Sequence, residues 1–163
     1  KLPAGFLDIL VPFIDSRNNI AGISYHKAIF ILLSNTGSSD IVKAAFDHWK
    51  LGKSRGTLQQ SELEGTIVTA INEDKDYGLW QSQIMSKSLI NAFIPFLPLE
   101  KVHVTKCISD ALLANRHLFQ MHQLDKIAEV VMTKLKFSPP DEPIFSDMGC
   151  KRVTEKIYEA VVE

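Results

Sequence analysis

The sequence predicts an incomplete α/β layer followed by an all-helical region, and three observations lead there. Ala28-Ile29-Phe30-Ile31-Leu32-Leu33 is apolar at every position, the pattern of a central strand buried on both faces of a parallel sheet. Only one other stretch, residues 93–99, reads as strand at all, which is too few to build such a sheet. From Glu100 onward the apolar residues recur at helical spacing. The strands that would complete the sheet are expected before Lys1.

The elements follow in chain order. Residues 2–14 predict a first helix, because Leu7, Leu10, Val11 and Ile14 recur at helical spacing and Pro3 suits a first turn, where its missing N–H is harmless. Pro12 kinks or ends it. Residues 16–19 form a polar loop. The strand over 28–33 stops abruptly in Ser34-Asn35-Thr36-Gly37-Ser38-Ser39, a small, polar loop. Ser38 or Ser39 is expected to cap a helix through Ile41, Ala44, Ala45 and Trp49 that stops near Gly52. Residues 58–71 predict another helix, 72–78 a loop, and 84–91 a short element of ambiguous type.

Pro95 and Pro98 forbid a helix interior over 93–99 and confine any strand there to an edge or terminus. Helices are expected over 102–116 and 122–137. Ser138-Pro139-Pro140-Asp141-Glu142-Pro143 reads as a rigid connector. Ser146 or Asp147 is expected to open a last helix with Val153, Ile157, Tyr158 and Val161 on one side.

Composition narrows the function classes. The chain has 163 residues, 18 Lys+Arg against 19 Asp+Glu, and a net charge of −1. Hydrophobic residues make up 45% and charged residues 23%, which excludes a disordered chain and a disulfide-dense miniprotein. Near neutrality argues against a nucleic-acid binder that works by bulk charge. The longest apolar runs fall well short of the roughly 20 residues that span a bilayer, so no membrane span is expected in this segment.

Few residues carry a chemical signal of their own. Asn35 follows the expected strand, where ligands of α/β folds gather, and its amide can orient a water or contact a phosphate; the plainer reading is a turn residue. Gly149-Cys150-Lys151 lies near the expected start of the last helix, where backbone N–H groups and a lysine favour anions; the plainer reading is a solvated lysine. Cys107 and Cys150 are the only cysteines. They allow one disulfide, one redox pair or two unrelated buried thiols. A bridge would close a loop of about 43 residues and contribute on the order of 4 kcal/mol in the entropic account. The five histidines show no HExxH spacing and no pairing with CxxC, so no zinc site is expected. The sequence holds neither G-x-S-x-G nor G-x-x-x-x-G-K-[ST].

Three phrases, in order and in register, resemble the torsin family of AAA+ ATPases. They are Ser24-Tyr25-His26-Lys27-Ala28-Ile29-Phe30-Ile31-Leu32-Leu33-Ser34-Asn35-Thr36-Gly37, Phe93-Ile94-Pro95-Phe96-Leu97-Pro98-Leu99-Glu100, and Ile144-Phe145-Ser146-Asp147-Met148-Gly149-Cys150-Lys151. Lys1-Leu2-Pro3-Ala4-Gly5 is similar to the stretch just after the acidic Walker B strand. The resemblance implies an incomplete α/β AAA+ fold. Residues 1–99 would be the later part of the large nucleotide-binding domain and residues 100–163 the helical lid. The phosphate-binding loop and Walker B acids would lie before Lys1, so most contacts to ATP and Mg would be made there and this segment would be inactive alone.

The same resemblance implies roles. Asn35 matches sensor 1, which positions the water that attacks the γ-phosphate. Lys151, beside Gly149 and Cys150, matches sensor 2, which reaches the nucleotide from the lid. Cys107 and Cys150 match the family's cysteine pair, whose disulfide beside the nucleotide would couple redox state to binding in an oxidising lumen. Residues 86–91, Ser-Lys-Ser-Leu-Ile-Asn, lack the arginine finger of most AAA+ proteins. Torsins share this absence, which implies a luminal activator of the lamina-associated-polypeptide type that supplies an arginine in trans, with homo-oligomers a further expectation. The implied setting is the lumen of the endoplasmic reticulum and nuclear envelope, with any membrane anchor upstream, and the implied activity is activator-dependent ATP hydrolysis coupled to protein or membrane remodelling. Thr133-Lys134 stands where torsin-1 carries Glu-Glu, which points to a divergent member such as the fourth subfamily. The rival expectation is a catalytically inactive, nucleotide-gated scaffold that uses the lid as an interaction surface. The sequence upstream of Lys1 discriminates the two.

Overall fold

Helical periodicity in the sequence becomes helical packing in two separate cores. The computed structural model describes residues 2–162 apart from Ser16, Asn18, Asp74, Asp76 and Tyr77. The chain divides into two units, Lys1–Leu97 and Pro98–Glu163.

In the first unit a 3-10 turn, Phe6–Leu10, runs into a short helix, α1 (Val11–Ile14). The single helix expected over 2–14 is thus two pieces. Pro12 has no N–H to give the Asp8 carbonyl, so an α-helix cannot pass through it unbroken, and the Val11 N–H takes that carbonyl instead. A hairpin pairs β1 (Asn19–Ile20) with β2 (Ile23–Ser24). Its turn passes through Ala21 and Gly22, both at positive φ (50° and 79°), as two-residue hairpin turns require. The loop expected over 16–19 includes Ser16 and Asn18, which lie outside the described residues, as do Lys1 and three residues of the loop expected over 72–78.

Three helices follow: α2 (Ser38–Lys50), α3 (Gln60–Glu73) and α4 (Gln83–Ser86). The ambiguous stretch over 84–91 resolves as the single turn α4, capped by Ser82, whose buried hydroxyl accepts the Met85 N–H at 3.3 Å. Val11, Ile41, Ile67, Ile71, Leu79 and Ile84 form the buried core, with Phe93 and Leu97 packed against it.

Two expectations for this unit are corrected. Residues 28–33 do not form a buried strand: no strand pairs with them among the described residues, and Ile29 and Leu33 are each 88% exposed. A strand exists only where its N–H and C=O groups meet a neighbouring strand, and apolar character cannot supply that neighbour. Residues 93–97 likewise form no edge strand; Phe93 and Leu97 turn into the core while Ile94 and Phe96 face out.

The second unit packs α5 (Lys101–Ala114), α6 (Leu124–Lys134) and α7 (Val153–Val162) around Val104, Ile108, Leu112, Val131, Val153 and Ile157. On α5 the buried residues recur every fourth position, so one stripe faces the core. Its first turn is closed reciprocally. The Glu100 N–H donates to His103 Nδ1 at 3.1 Å, and the Glu100 carboxylate accepts the His103 N–H.

This unit is not all-helical. β3 (Phe137–Ser138) pairs antiparallel with β4 (Phe145–Ser146), and the Ser146 N–H donates to the Leu99 carbonyl at 2.8 Å, tying the hairpin to the start of α5. The helix expected over 122–137 ends at Lys134. Ser138 precedes Pro139, and the residue before proline is pushed to extended backbone, which a strand accepts and a helix does not. The fold among the described residues is mostly helical with two small sheets.

Candidate functional site

The sequence-predicted residues fall in two places, one in each unit. Asn35 sits in the loop that enters α2. Ser34 organises this loop: its hydroxyl accepts the Thr36 N–H at 3.1 Å and shares a 2.7 Å hydrogen bond with the hydroxyl of the buried Thr36. Gly37 then takes φ 71° at the N-cap of α2 with no side-chain cap, so neither Ser38 nor Ser39 plays the expected part. Glycine is required twice over. An L side chain is strained at that φ, and a Cβ there would lie 3.2 Å from the Ala70 Cβ of α3. The outcome at Asn35 is simple. Its carbonyl accepts the Ser38 N–H at 3.2 Å, while its exposed amide has no hydrogen-bond partner among the described residues and is left for solvent or a polar ligand.

Gly149, Cys150 and Lys151 lie in the turn between β4 and α7. Ser146 and Asp147 do not open the helix, as the sequence led us to expect. Ser146 is the last residue of β4, its hydroxyl donates to the Gly149 carbonyl at 2.9 Å, and α7 begins only at Val153. The extra turn exists because Gly149 adopts φ 57° and because the strand must first pair. Cys150 and Cys107 of α5 are joined in a disulfide with a Cα–Cα separation of 6.2 Å. The Cys150 carbonyl accepts the Val153 N–H at 3.2 Å, so the disulfide is anchored one step from the helix start.

Lys151 is the exposed cation of this turn. Its neighbours are occupied: Arg152 donates to Glu155 at 2.9 Å and Lys156 to Glu159 at 2.7 Å. The hydrogen bond from Arg152 holds the Glu155 carboxyl below its ordinary range. Lys151 has no acidic partner among the described residues. Lys151 lies two residues before α7, and an exposed ammonium there suits an anion such as a phosphate, as the exposed Asn35 amide suits a water or a phosphate oxygen. Sequence reasoning missed Ser34 and Thr36, the pair that shapes the Asn35 loop; their S-x-T spacing was the available signal.

Residues 99–158 match the family model described as Torsin-1A, C-terminal domain. They are a torsin-family C-terminal region. The match spans nearly the whole second unit, and the hairpin of β3 and β4 thereby belongs to the torsin C-terminal region rather than interrupting it. Both cysteines, Gly149 and Lys151 lie inside the torsin match, whereas Asn35 lies in the first unit, outside it. At the family level torsins are AAA+ ATPases. No helix among the described residues is long and apolar enough to cross a membrane.

Proposed function

We propose that this chain is the later part of a torsin-like AAA+ ATPase, with residues 1–99 from the large α/β domain and residues 100–163 as its lid. The observation that carries this reading is Lys151: an exposed ammonium without an acidic partner among the described residues, in a glycine turn anchored by the Cys107–Cys150 disulfide, inside a torsin C-terminal region. When bound, ATP with Mg would supply the γ-phosphoryl group that water attacks, with ADP as the leaving group. Lys151 offsets phosphate charge from the lid side. The Asn35 amide orients a water, and Ser34 and Thr36 hold its loop in shape. The apolar residues 28–33, exposed in this chain, support a parent domain in which further chain covers them. Reduction of the disulfide frees the Lys151 turn from α5 and so couples thiol state to nucleotide affinity. The absence of an arginine in residues 86–91 supports an activator that supplies one in trans, in the lumen of the endoplasmic reticulum or nuclear envelope, with protein or membrane remodelling as the output.

The test is ATP hydrolysis by the full-length protein with and without a luminal activator domain. Stimulated turnover is expected to fall at least about tenfold in Asn35→Ala and in Lys151→Ala, the loss of one transition-state contact each. Unchanged stimulated turnover in both variants overturns the assigned roles.

A further inference from the structure

The outward side of α2 carries a feature that ATP chemistry does not use. At about 100° per residue, Val42, Phe46 and Trp49 fall within about 60° of one another, beside the face that Ile41 and Ala45 bury. Val42 and Trp49 are exposed, and Leu51, just past the helix end, is 70% exposed. The Phe46 and Trp49 rings stack with centroids 6.0 Å apart and planes 8° from parallel, and Lys50 Nζ lies 4.4 Å from the centre of the Phe46 ring. The stack is thus held in one arrangement before anything binds, which lowers the ordering cost of docking.

Charge is sorted around this stripe. Lys43 and Lys50 flank it at about 80–100°, whereas Asp40 and Asp47 lie about 140–160° away, on the far side of the lysines. Gly52, at φ 69°, turns the chain so that Lys53 follows at the same tip, and a Cβ built on Gly52 meets nothing within 4 Å. The space around Gly52 at the tip is open. A partly exposed tryptophan and a largely exposed leucine at such a tip, flanked by lysines with the acids turned away, match an anionic lipid interface. The indole and leucine would enter the headgroup boundary while the ammonium groups meet phosphates.

We propose that the C-terminal end of α2, through Trp49 and Leu51 with Lys50 and Lys53, docks on an anionic membrane surface. The test is co-sedimentation of the chain with phosphatidylcholine vesicles with and without phosphatidylserine. Binding is expected only with phosphatidylserine, and it should weaken as salt is raised. Trp49→Ser with Leu51→Ser should abolish it. Lys50→Glu with Lys53→Glu, which leaves the apolar residues in place, should weaken it at least about tenfold, since each surface lysine contributes about 1 kcal/mol. Circular dichroism melts matching the parent chain establish that both variants are folded. No binding to anionic vesicles, equal binding to neutral ones, or binding that survives both double variants and is lost instead in Ile31→Asp overturns the proposal.

Discussion

Cys107 and Cys150, 43 residues apart in sequence, are joined across the second unit, tying the middle of α5 to the turn that presents Lys151. A cross-link of that span restricts the unfolded chain by about 4 kcal/mol in the entropic account, with about 2–4 kcal/mol typically realised. Reduction, or Cys107→Ser, should lower the melting temperature of this unit by roughly 10–30 °C. Calorimetry of the oxidised and reduced chain checks this, and coincident transitions would contradict it. The core transition of the first unit, which contains no cysteine, should not move.

Gly37, in the Asn35 loop, faces Ala70 and Ile67 of α3. Gly37→Ala sets a Cβ 3.2 Å from the Ala70 Cβ at a left-handed φ, so it should cost about 1–2 kcal/mol of conformational strain together with a steric displacement. Gly52→Ala is the control, since it shares the positive φ (69°) but meets nothing within 4 Å. Urea titration of both variants should find Gly37→Ala the more destabilised by a clear margin; equal midpoints would dissociate the loop from α3.

Those two sites also mark what the sequence revealed and what it withheld. The helices were legible because their stripes repeat: Val104, Ile108 and Leu112 announce α5, and Ile67 and Ile71 announce α3. The torsin likeness was legible from phrases that the second-unit match covers in part, including the Gly149-Cys150-Lys151 turn. The strand over 28–33 was read from apolar character alone, and a strand is a property of a pair, which one segment cannot encode. The hairpin of β3 and β4 was missed because two-residue strands carry no periodicity. The N-cap of α2 was misread because glycine caps by backbone freedom, leaving the neighbouring serines as false signals.

Burial in the second unit separates residues of similar chemistry. Ile157 of α7 is fully buried, whereas Leu113 of α5 is 57% exposed one position after the buried Leu112. Ile157→Ala should destabilise by about 2–5 kcal/mol, the loss of transfer energy plus a cavity. Leu113→Ala should stay within about 0.5 kcal/mol of the parent. Chemical denaturation with an unchanged slope distinguishes them, and a reversed ranking would displace the core from where it is drawn.

Asp15 closes α1, and Arg17 donates to both of its carboxylate oxygens, at 3.0 Å and 2.9 Å. That hydrogen bonding, chiefly from the Arg17 side chain and then from its backbone N–H, lowers the carboxyl from 3.8 to about 2. Because the folded value lies below the unfolded one, the folded state holds fewer protons between them. The contribution is therefore complete above the ordinary carboxyl range and lost as pH falls through about 4 towards about 2. Stability of the first unit should decline over that acid window, and Asp15→Asn should flatten the decline there while lowering stability at neutral pH. Thermal melts of both proteins from pH 7 down to pH 2 check this. Parallel pH curves would mean that the pair, with Arg17 exposed to solvent, contributes nothing measurable.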